Sequence, residues 1–258
     1  MYLQPRIHGL LIFILSTLVR TYDVATELEP KGPLGIRLDY NVAMQAGTAE
    51  RNDVIRTVVF TSHLKFEHDV NAFSDGQLVQ MAFDAYNEML VEAAQYDFHK
   101  TRATPSVMTV LAIEKEIFMA SSQKGQGSFI HNFPHSPVSK SLAVCQAIFS
   151  DRTSKNRYHE NQAKCGEIMA AHSFFRANPS FADLKGLGGR TISVDRLKGT
   201  EPLAIKEPCG TGIANVWGCD LFVENQGLAE VPKGTSPTPY ELNAVAGVAT
   251  IGQFPLCS

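Results

Sequence analysis

The chain has 258 residues, of which 44% are hydrophobic, 19% charged and 9% aromatic. This profile is that of one large or two small globular domains, and it excludes a disordered or fibrous protein. With 23 Lys and Arg against 26 Asp and Glu, the net charge of −3 argues against a long nucleic-acid duplex as partner. The 5 cysteines are too few for a disulfide scaffold, and their odd number leaves a thiol unpaired or assigns three of them to a metal.

The amino terminus carries an apolar run, residues 7–19, directly after Arg6. Its length is that of the hydrophobic region of a signal peptide, and it is too short for a stable membrane span. Export is opposed by the missing Ala-x-Ala pattern before Ala25 and by the lack of an Asn-x-Ser/Thr acceptor. Residues 1–25 are either the signal peptide of a secreted protein or, in a cytoplasmic protein, an amino-terminal helix buried against the domain or the product of a wrongly assigned start.

Residues 26–73 are predicted to form an N-terminal extension that precedes the main domain, residues 74–258. Pro and Gly residues divide the first half of this extension and predict an extended arm. Residues 54–60 are apolar and rich in β-branched side chains, which predicts a strand.

The main domain opens with a helix signal at Ser74 and Gln77, which have the spacing of a capping box. Apolar residues at helical spacing then predict an amphipathic helix over 74–96. Two apolar runs, 107–113 and 117–121, flank a short polar break and predict a β-hairpin. A further helix is predicted over about 139–149, with Cys145 as a small buried apolar residue on it.

The residues of greatest chemical interest begin at 161–175, where a loop is predicted to lead into a helix. This places Cys165 and Glu167 in the first turn of the helix. The positive end of the helix dipole and its unpaired N–H groups favour a thiolate, the form in which cysteine binds zinc. A glutamate two residues later can face the same cavity.

A pair of cysteines follows further along the chain. Residues 202–208 predict a short strand that ends at Cys209, and Cys219 comes ten residues later. Three thiols and one glutamate are therefore expected to converge at the ends of two helices.

This arrangement is similar to the signature of the zinc-dependent cytidine deaminase-like superfamily, in which H-x-E is followed by P-C-x-x-C. Here Cys-x-Glu is followed by Glu-Pro-Cys and, after residues 210–218, by Cys219. The predicted elements over 74–231 also follow the order of that fold, with 202–208 as its third strand. The resemblance is to divergent branches, bacterial toxin deaminases and their fungal relatives, and it implies an α/β fold with three α-β-α layers and a mixed central sheet.

The resemblance also implies a chemistry. Cys165, Cys209 and Cys219 would hold Zn²⁺ as thiolates and leave the fourth tetrahedral position to water. Glu167 would take the proton of that water and pass it to the leaving amine, so that a nucleoside, base or other small amino-heterocycle releases ammonia. Because three thiolates donate electrons strongly, such a site needs N–H groups or positive charge nearby, for which Lys164 and Lys206 are candidates.

Substrate contacts are predicted at the rim of this site. Asn161, Phe174, Trp217 and the loop 210–218 are the candidates, and each of them has ordinary packing as its alternative.

Two other functions are open at this stage. In a secreted protein, Cys209 and Cys219 would form a disulfide and Cys165 would pair with Cys145 or Cys257, which gives a binding or effector protein without catalysis.

A cysteine hydrolase is the other alternative. Cys165 would then be the nucleophile and His159 or His172 the base. His172 lies about two helical turns beyond Cys165 and reaches it poorly.

Overall fold

The computed structural model describes most of the chain, namely residues 26–45, 57–98, 103–125, 127–196 and 201–257. The predicted signal peptide, residues 1–25, lies outside these ranges, as do the first residues of the strand predicted at 54–60. Among the described helices, none has both the length and the apolar composition needed to cross a membrane.

The described residues form an α/β protein. Its strands are β1 (Arg37–Leu38), β2 (Phe60–Lys65), β3 (Val107–Ile113), β4 (Glu116–Ser121), β5 (Arg190–Asp195), β6 (Ala204–Lys206), β7 (Ala229–Glu230) and β8 (Thr250–Gly252). Its α-helices are α1 (Tyr40–Gln45), α2 (Asp75–Gln95), α3 (Phe129–Asn132), α4 (Pro137–Thr153), α5 (Gly166–Ala177), α6 (Cys219–Gln226) and α7 (Leu242–Val245). The α/β class predicted from the sequence is confirmed.

The strands form one open sheet in the order β1-β2-β4-β3-β5-β6. Strand β8 pairs with β2, and β7 runs parallel to β5, whereas the other pairings are antiparallel. The predicted hairpin is confirmed as β3 and β4, with Ile113 opposite Glu116 across a two-residue turn. Two strands of the sheet, β1 and β2, come from residues 26–73.

The sheet is covered by helices on both faces. Because side chains alternate across a strand, Met108 and Val110 of β3 pack with α2, whereas Leu111 packs with α4, α5 and α6. Each face has its own apolar cluster, and every residue of β3 is buried. A strand buried on both faces is apolar throughout rather than alternating, as this one is.

Two helices begin with a serine cap. The Ser74 hydroxyl accepts the Gln77 N–H at the start of α2, and the Gln77 side chain accepts the Ser74 N–H, so the capping box is confirmed. Helix α4 begins after Ser136, whose hydroxyl accepts a backbone N–H, with proline in its first turn. Helix α4 extends past both predicted ends, and Cys145 is buried in it as predicted.

Two strand predictions need correction. The strand predicted at 54–60 is found at Phe60–Lys65, where it pairs with β4. The strand that follows the hairpin is not 202–208, predicted as the third strand, but β5, Arg190–Asp195, which pairs with β3 and is not predicted from the sequence. Within 202–208, the short strand β6 pairs with the far edge of β5.

Candidate metal centre

Two of the three cysteines lie at helix starts, and the third lies in a turn beside one of them. Cys165 is the N-cap residue of α5, and Cys219 is the first residue of α6. Cys209 follows β6, and the N–H groups of Cys219 and Asp220 donate to its sulfur and carbonyl at 3.3 and 3.1 Å. N–H groups at helix starts stabilise negative charge, so this location favours thiolates.

The three thiols meet at one point, and His159 joins them. The Nε2 or Nδ1 atom of His159 and the sulfurs of Cys165, Cys209 and Cys219 all lie within 4.8 Å of one another. The Cys165 and Cys209 sulfurs are 3.4 Å apart, and His159 Nε2 lies 3.5 Å from the Cys219 sulfur. Tetrahedral zinc, with Zn–S bonds of about 2.3 Å, holds its sulfurs about 3.8 Å apart, so these groups fit the ion.

The sequence analysis names the three cysteines but misses His159 as a member of this group. Its signal is weak, a histidine six residues before Cys165 in a segment without regular structure. His159 appears there only as the base of a cysteine hydrolase, because its approach to Cys219 depends on a contact distant in sequence.

The loop 210–218, an insertion relative to the P-C-x-x-C signature, does not keep Cys219 from the other thiols. Gly210 has a φ of 96°, which lets the chain leave Cys209 in a direction that side-chain-bearing residues rarely allow. The loop then returns to its starting point, where Gly218 N–H donates to the Asp220 carboxylate at 3.1 Å. The two cysteines are therefore brought back together despite the nine residues between them.

The pKa values of the three thiols are shifted in opposite directions. Hydrogen bonds from the Cys165 and Cys219 thiols hold the pKa of the Cys209 thiol far below its ordinary value. The same interaction with Cys209 raises the pKa of Cys165, and burial raises that of Cys219.

Glu167 lies beside this group and is buried. Ser193 Oγ donates to its Oε1 at 2.8 Å and lies 2.6 Å from Thr109 Oγ1, so the carboxylate is held from two strands of the sheet. Burial raises the pKa of Glu167. The carboxylate does not belong to the group of four possible ligands.

Gly166, between Cys165 and Glu167, allows α5 to approach the sheet closely. A Cβ at this position would overlap Thr109 Oγ1 and would lie 3.0 Å from the Ala120 carbonyl oxygen. The start of α5 therefore lies directly on β3 and β4, which fixes the position of both flanking side chains.

A cavity of about 360 Å³ opens on the site. Its walls include Cys165, Glu167, Cys209 and Asn161, whose amide donates to the Cys165 sulfur at 3.6 Å. Asn161 therefore lies at the rim, as predicted. The charged side chains around the cavity are three lysines and three glutamates: Lys124, Lys164, Lys206, Glu160, Glu167 and Glu207.

Two residues predicted at the rim are packing residues. Phe174 is buried against the rings of Phe118 and Phe175. Trp217 is also buried, and its ring packs edge-on against His159. Neither side chain lines the cavity.

The other cysteines and His172 lie elsewhere. All five cysteines are free thiols, and the Cys145 sulfur contacts the Leu221 carbonyl at 3.4 Å. His172 Nε2 is 2.9 Å from the Leu256 carbonyl oxygen, and its ring packs on Phe129. His172 is thus engaged with the C-terminal segment rather than with Cys165.

Comparison of the chain with models of known protein families, with curated proteins and with solved structures finds no match.

Proposed function

We propose that this protein is a zinc-dependent hydrolytic deaminase that acts on a nucleoside, a base or another small amino-heterocycle. The observation that carries the proposal is that three cysteines meet at two helix starts while a buried glutamate, Glu167, lines the same cavity. Thiolates as ligands and a carboxylate that is not a ligand are the parts that this chemistry needs. The helices on both faces of the sheet support a deaminase-like fold of three layers.

The ion would be held by Cys165, Cys209 and Cys219. Zinc in an open site supplies Lewis acidity, which lowers the pKa of water to about 7. Glu167 takes a proton from water as the oxygen adds to the amino-bearing carbon. It passes that proton to the adjacent ring nitrogen, then takes the proton of the added hydroxyl and gives it to the amine as the C–N bond breaks. The products are ammonia and a carbonyl group beside a ring N–H.

Ser193 and Thr109 serve this step by orienting the carboxylate. The Ser193 hydroxyl hydrogen is directed to Glu167 Oε1, so the Thr109 hydroxyl donates to Ser193 in turn. A carboxylate fixed in this way can move a proton between water and the amine without changing its own rotamer.

The cavity favours a small polar substrate. A volume of about 360 Å³ accommodates a nucleoside-sized molecule. Its lysines and glutamates are equal in number, so the walls select for hydrogen-bonding groups rather than for a highly charged chain.

The proposal is tested by ammonia release from a panel of nucleosides and amino-substituted bases with the zinc-loaded protein. We expect Glu167→Gln to lower turnover at least about 100-fold, because the proton carrier is lost. Its zinc content should stay near that of the wild type, because Glu167 is not a ligand.

A matched control is Glu92→Gln, which changes a glutamate that is also buried but lies on α2, away from the cavity. It should keep both zinc and turnover. Full activity of Glu167→Gln on a substrate that the wild type deaminates would contradict the proposed role.

One observation favours a second function. Four ligands, three Cys and one His, make a closed site of the kind that holds structural zinc without catalysis. A binding protein with such a site would take up zinc and release no ammonia. The hydrogen bonds of His159 distinguish the two functions.

A further inference from the structure

The hydrogen bonds at His159 fix which of its ring nitrogens carries hydrogen. Nδ1 lies 3.2 Å from the Asn161 N–H nitrogen and 3.1 Å from that of Ala163, and it accepts from both. A nitrogen that accepts hydrogen bonds has no hydrogen of its own, and a neutral imidazole has one N–H. The hydrogen of His159 is therefore on Nε2.

The backbone turn that follows His159 favours this position of the hydrogen. Gln162 and Ala163 both have left-handed φ angles, 55° and 56°, which non-glycine residues rarely adopt. This turn directs the Ala163 N–H back to the ring of His159. The two donors are backbone groups, so the ring cannot move its hydrogen to Nδ1 unless the turn itself rearranges.

Nε2 is the atom that faces the thiols, 3.5 Å from the Cys219 sulfur. A ring nitrogen with a hydrogen has no lone pair for a metal. A histidine that binds zinc has the opposite arrangement, in which its other nitrogen donates to a carbonyl or carboxylate.

We infer that His159 is a hydrogen-bond donor to the thiolates and not a fourth metal ligand, so that three cysteines hold the metal and its fourth position stays open. This inference rests on the zinc site of the proposed function. An N–H directed at a thiolate withdraws electron density from it, which keeps a three-thiolate ion electrophilic.

His159 thus takes the role that the sequence analysis assigns to Lys164 or Lys206. Both lysines are engaged elsewhere. Lys164 donates to the Gly125 carbonyl at 3.0 Å, and Lys206 forms an ion pair with Asp195.

Trp217 is the positioning residue for His159. The two ring centroids are 5.0 Å apart, with the rings at 78° to each other. Trp217 Nε1 donates to the Arg157 carbonyl at 2.8 Å, and its own carbonyl accepts the Glu160 N–H at 3.0 Å. The insertion 210–218 therefore holds the segment that carries His159 from both sides.

The test is the tautomer of His159 in the zinc-loaded full chain, read from long-range ¹H–¹⁵N correlations of protein labelled with ¹⁵N-histidine. The His159 signals are assigned by their loss in His159→Gln. We expect hydrogen on Nε2 and an unprotonated Nδ1. Hydrogen on Nδ1 with a metal-shifted Nε2 would overturn the inference.

Zinc content and ammonia release of the same sample separate this inference from the proposed function. Absence of zinc overturns the proposed function. Bound zinc with ammonia release and a metal-ligated His159 overturns only the inference. Bound zinc with a ligated His159 and no ammonia overturns both, and the site is then a closed structural one.

Variants with cobalt in place of zinc give a second measurement. We expect folded His159→Gln to keep the thiolate-to-cobalt charge-transfer bands of three sulfurs and to lose about 10- to 100-fold in metal affinity. A cobalt spectrum of His159→Gln that shows one nitrogen ligand fewer than the wild type would contradict the inference.

The role of Trp217 is tested by a pair of variants. Trp217→Phe retains an aromatic edge against His159, whereas Trp217→Ala removes it. We expect the Nε2–H signal of His159 to persist in the first and to be lost to exchange in the second. An unchanged signal in Trp217→Ala would show that the ring does not position His159.

Discussion

Helices α2 and α5 pack on opposite faces of one sheet, and each carries a buried glutamate. Glu92 of α2 accepts from the Gln95 amide through one oxygen, while its other carboxylate oxygen has no hydrogen-bond partner within the described part of the chain. Glu167 of α5 accepts from Ser193 and lines a cavity that also exposes two thiols. Burial raises the pKa of both carboxyl groups, so burial alone does not identify a site.

The difference between the two glutamates lies in their surroundings. Glu92 is near the last turn of α2, close to Gln95, Arg37 and Lys31 and away from the cavity. Glu167 is in the first turn of α5, where the dipole favours its charge. It has a hydroxyl donor, a cavity and a Cys/His group that could hold a metal beside it. A carboxylate with these neighbours can exchange protons with a ligand, whereas Glu92 affects only stability.

The largest effect on the α2 side is expected from Glu92→Gln at alkaline pH. Burial raises the pKa of Glu92 from 4.5 to about 7, so the native state binds its proton more tightly than the unfolded state. The resulting stability is complete below pH 4.5 and is lost as the pH rises to about 7. The loss is up to about 3 kcal/mol.

Glutamine is neutral at every pH, so Glu92→Gln should raise the free energy of unfolding at pH 8 and change it little at pH 4.5. Urea unfolding at the two pH values measures this. An equal change at both would contradict the assignment of the pH dependence to Glu92.

His172 of α5 should make the free energy of unfolding fall in acid instead. Burial lowers the pKa of His172 from 6.5 to about 4, so the native state disfavours its charged form. This contribution to stability is complete above pH 6.5 and is lost as the pH falls to about 4, again by up to about 3 kcal/mol. His172→Gln keeps a donor for the Leu256 carbonyl and removes the titration.

Between pH 4.5 and 6.5 the contributions of Glu92 and His172 to stability therefore change in opposite directions. Removing one of them by mutation leaves the pH dependence of the other to be measured. His172→Gln should lose less stability than the wild type as the pH falls from 6.5 to 4, and Glu92→Gln should lose less as the pH rises from 4.5 to 8. If both variants have the pH profile of the wild type, the comparison of the two faces fails.

Substitutions in the first turns of the two helices should have smaller effects on the free energy of unfolding. Each has a glycine in its first turn, Gly76 in α2 and Gly166 in α5, and a Cβ on either would collide. Gly76 lies against the loop residues Ser236 and Thr238, which can shift, whereas Gly166 lies against the sheet, which cannot.

We expect Gly166→Ala to cost about 3 kcal/mol and Gly76→Ala about 1 kcal/mol in the free energy of unfolding. Gly234→Ala is the control, because a Cβ there meets open space. Gly166→Ala should also lower zinc occupancy, since it displaces Cys165. A larger cost for Gly76→Ala would mean that α5 is not the helix seated on the sheet.

Local sequence patterns predict the elements that depend on neighbouring residues. The capping box and apolar spacing locate α2, and two runs around a polar break locate the hairpin of β3 and β4. The thiols of Cys165, Cys209 and Cys219 also converge as predicted, because a helix start is a local signal and the sheet brings the two starts together.

Elements that depend on distant contacts escape sequence analysis. Strand β5 has a polar residue at every second position, yet Thr191 and Ser193 are buried, and Ser193 donates to Glu167 of α5. His159 lies beside the three thiols, and Trp217, far along the chain, packs against its ring. No pattern of neighbouring residues carries that information.

The central claim is that three cysteines hold a metal ion, and zinc content with a free-thiol count on the purified full chain tests it most directly. We expect about one zinc per chain, with all five cysteines reactive as thiols after denaturation under non-reducing conditions. Cys219→Ser should lose the zinc. A protein without zinc and with four of its thiols missing would contradict the account, and it would be a disulfide-bonded binding protein instead.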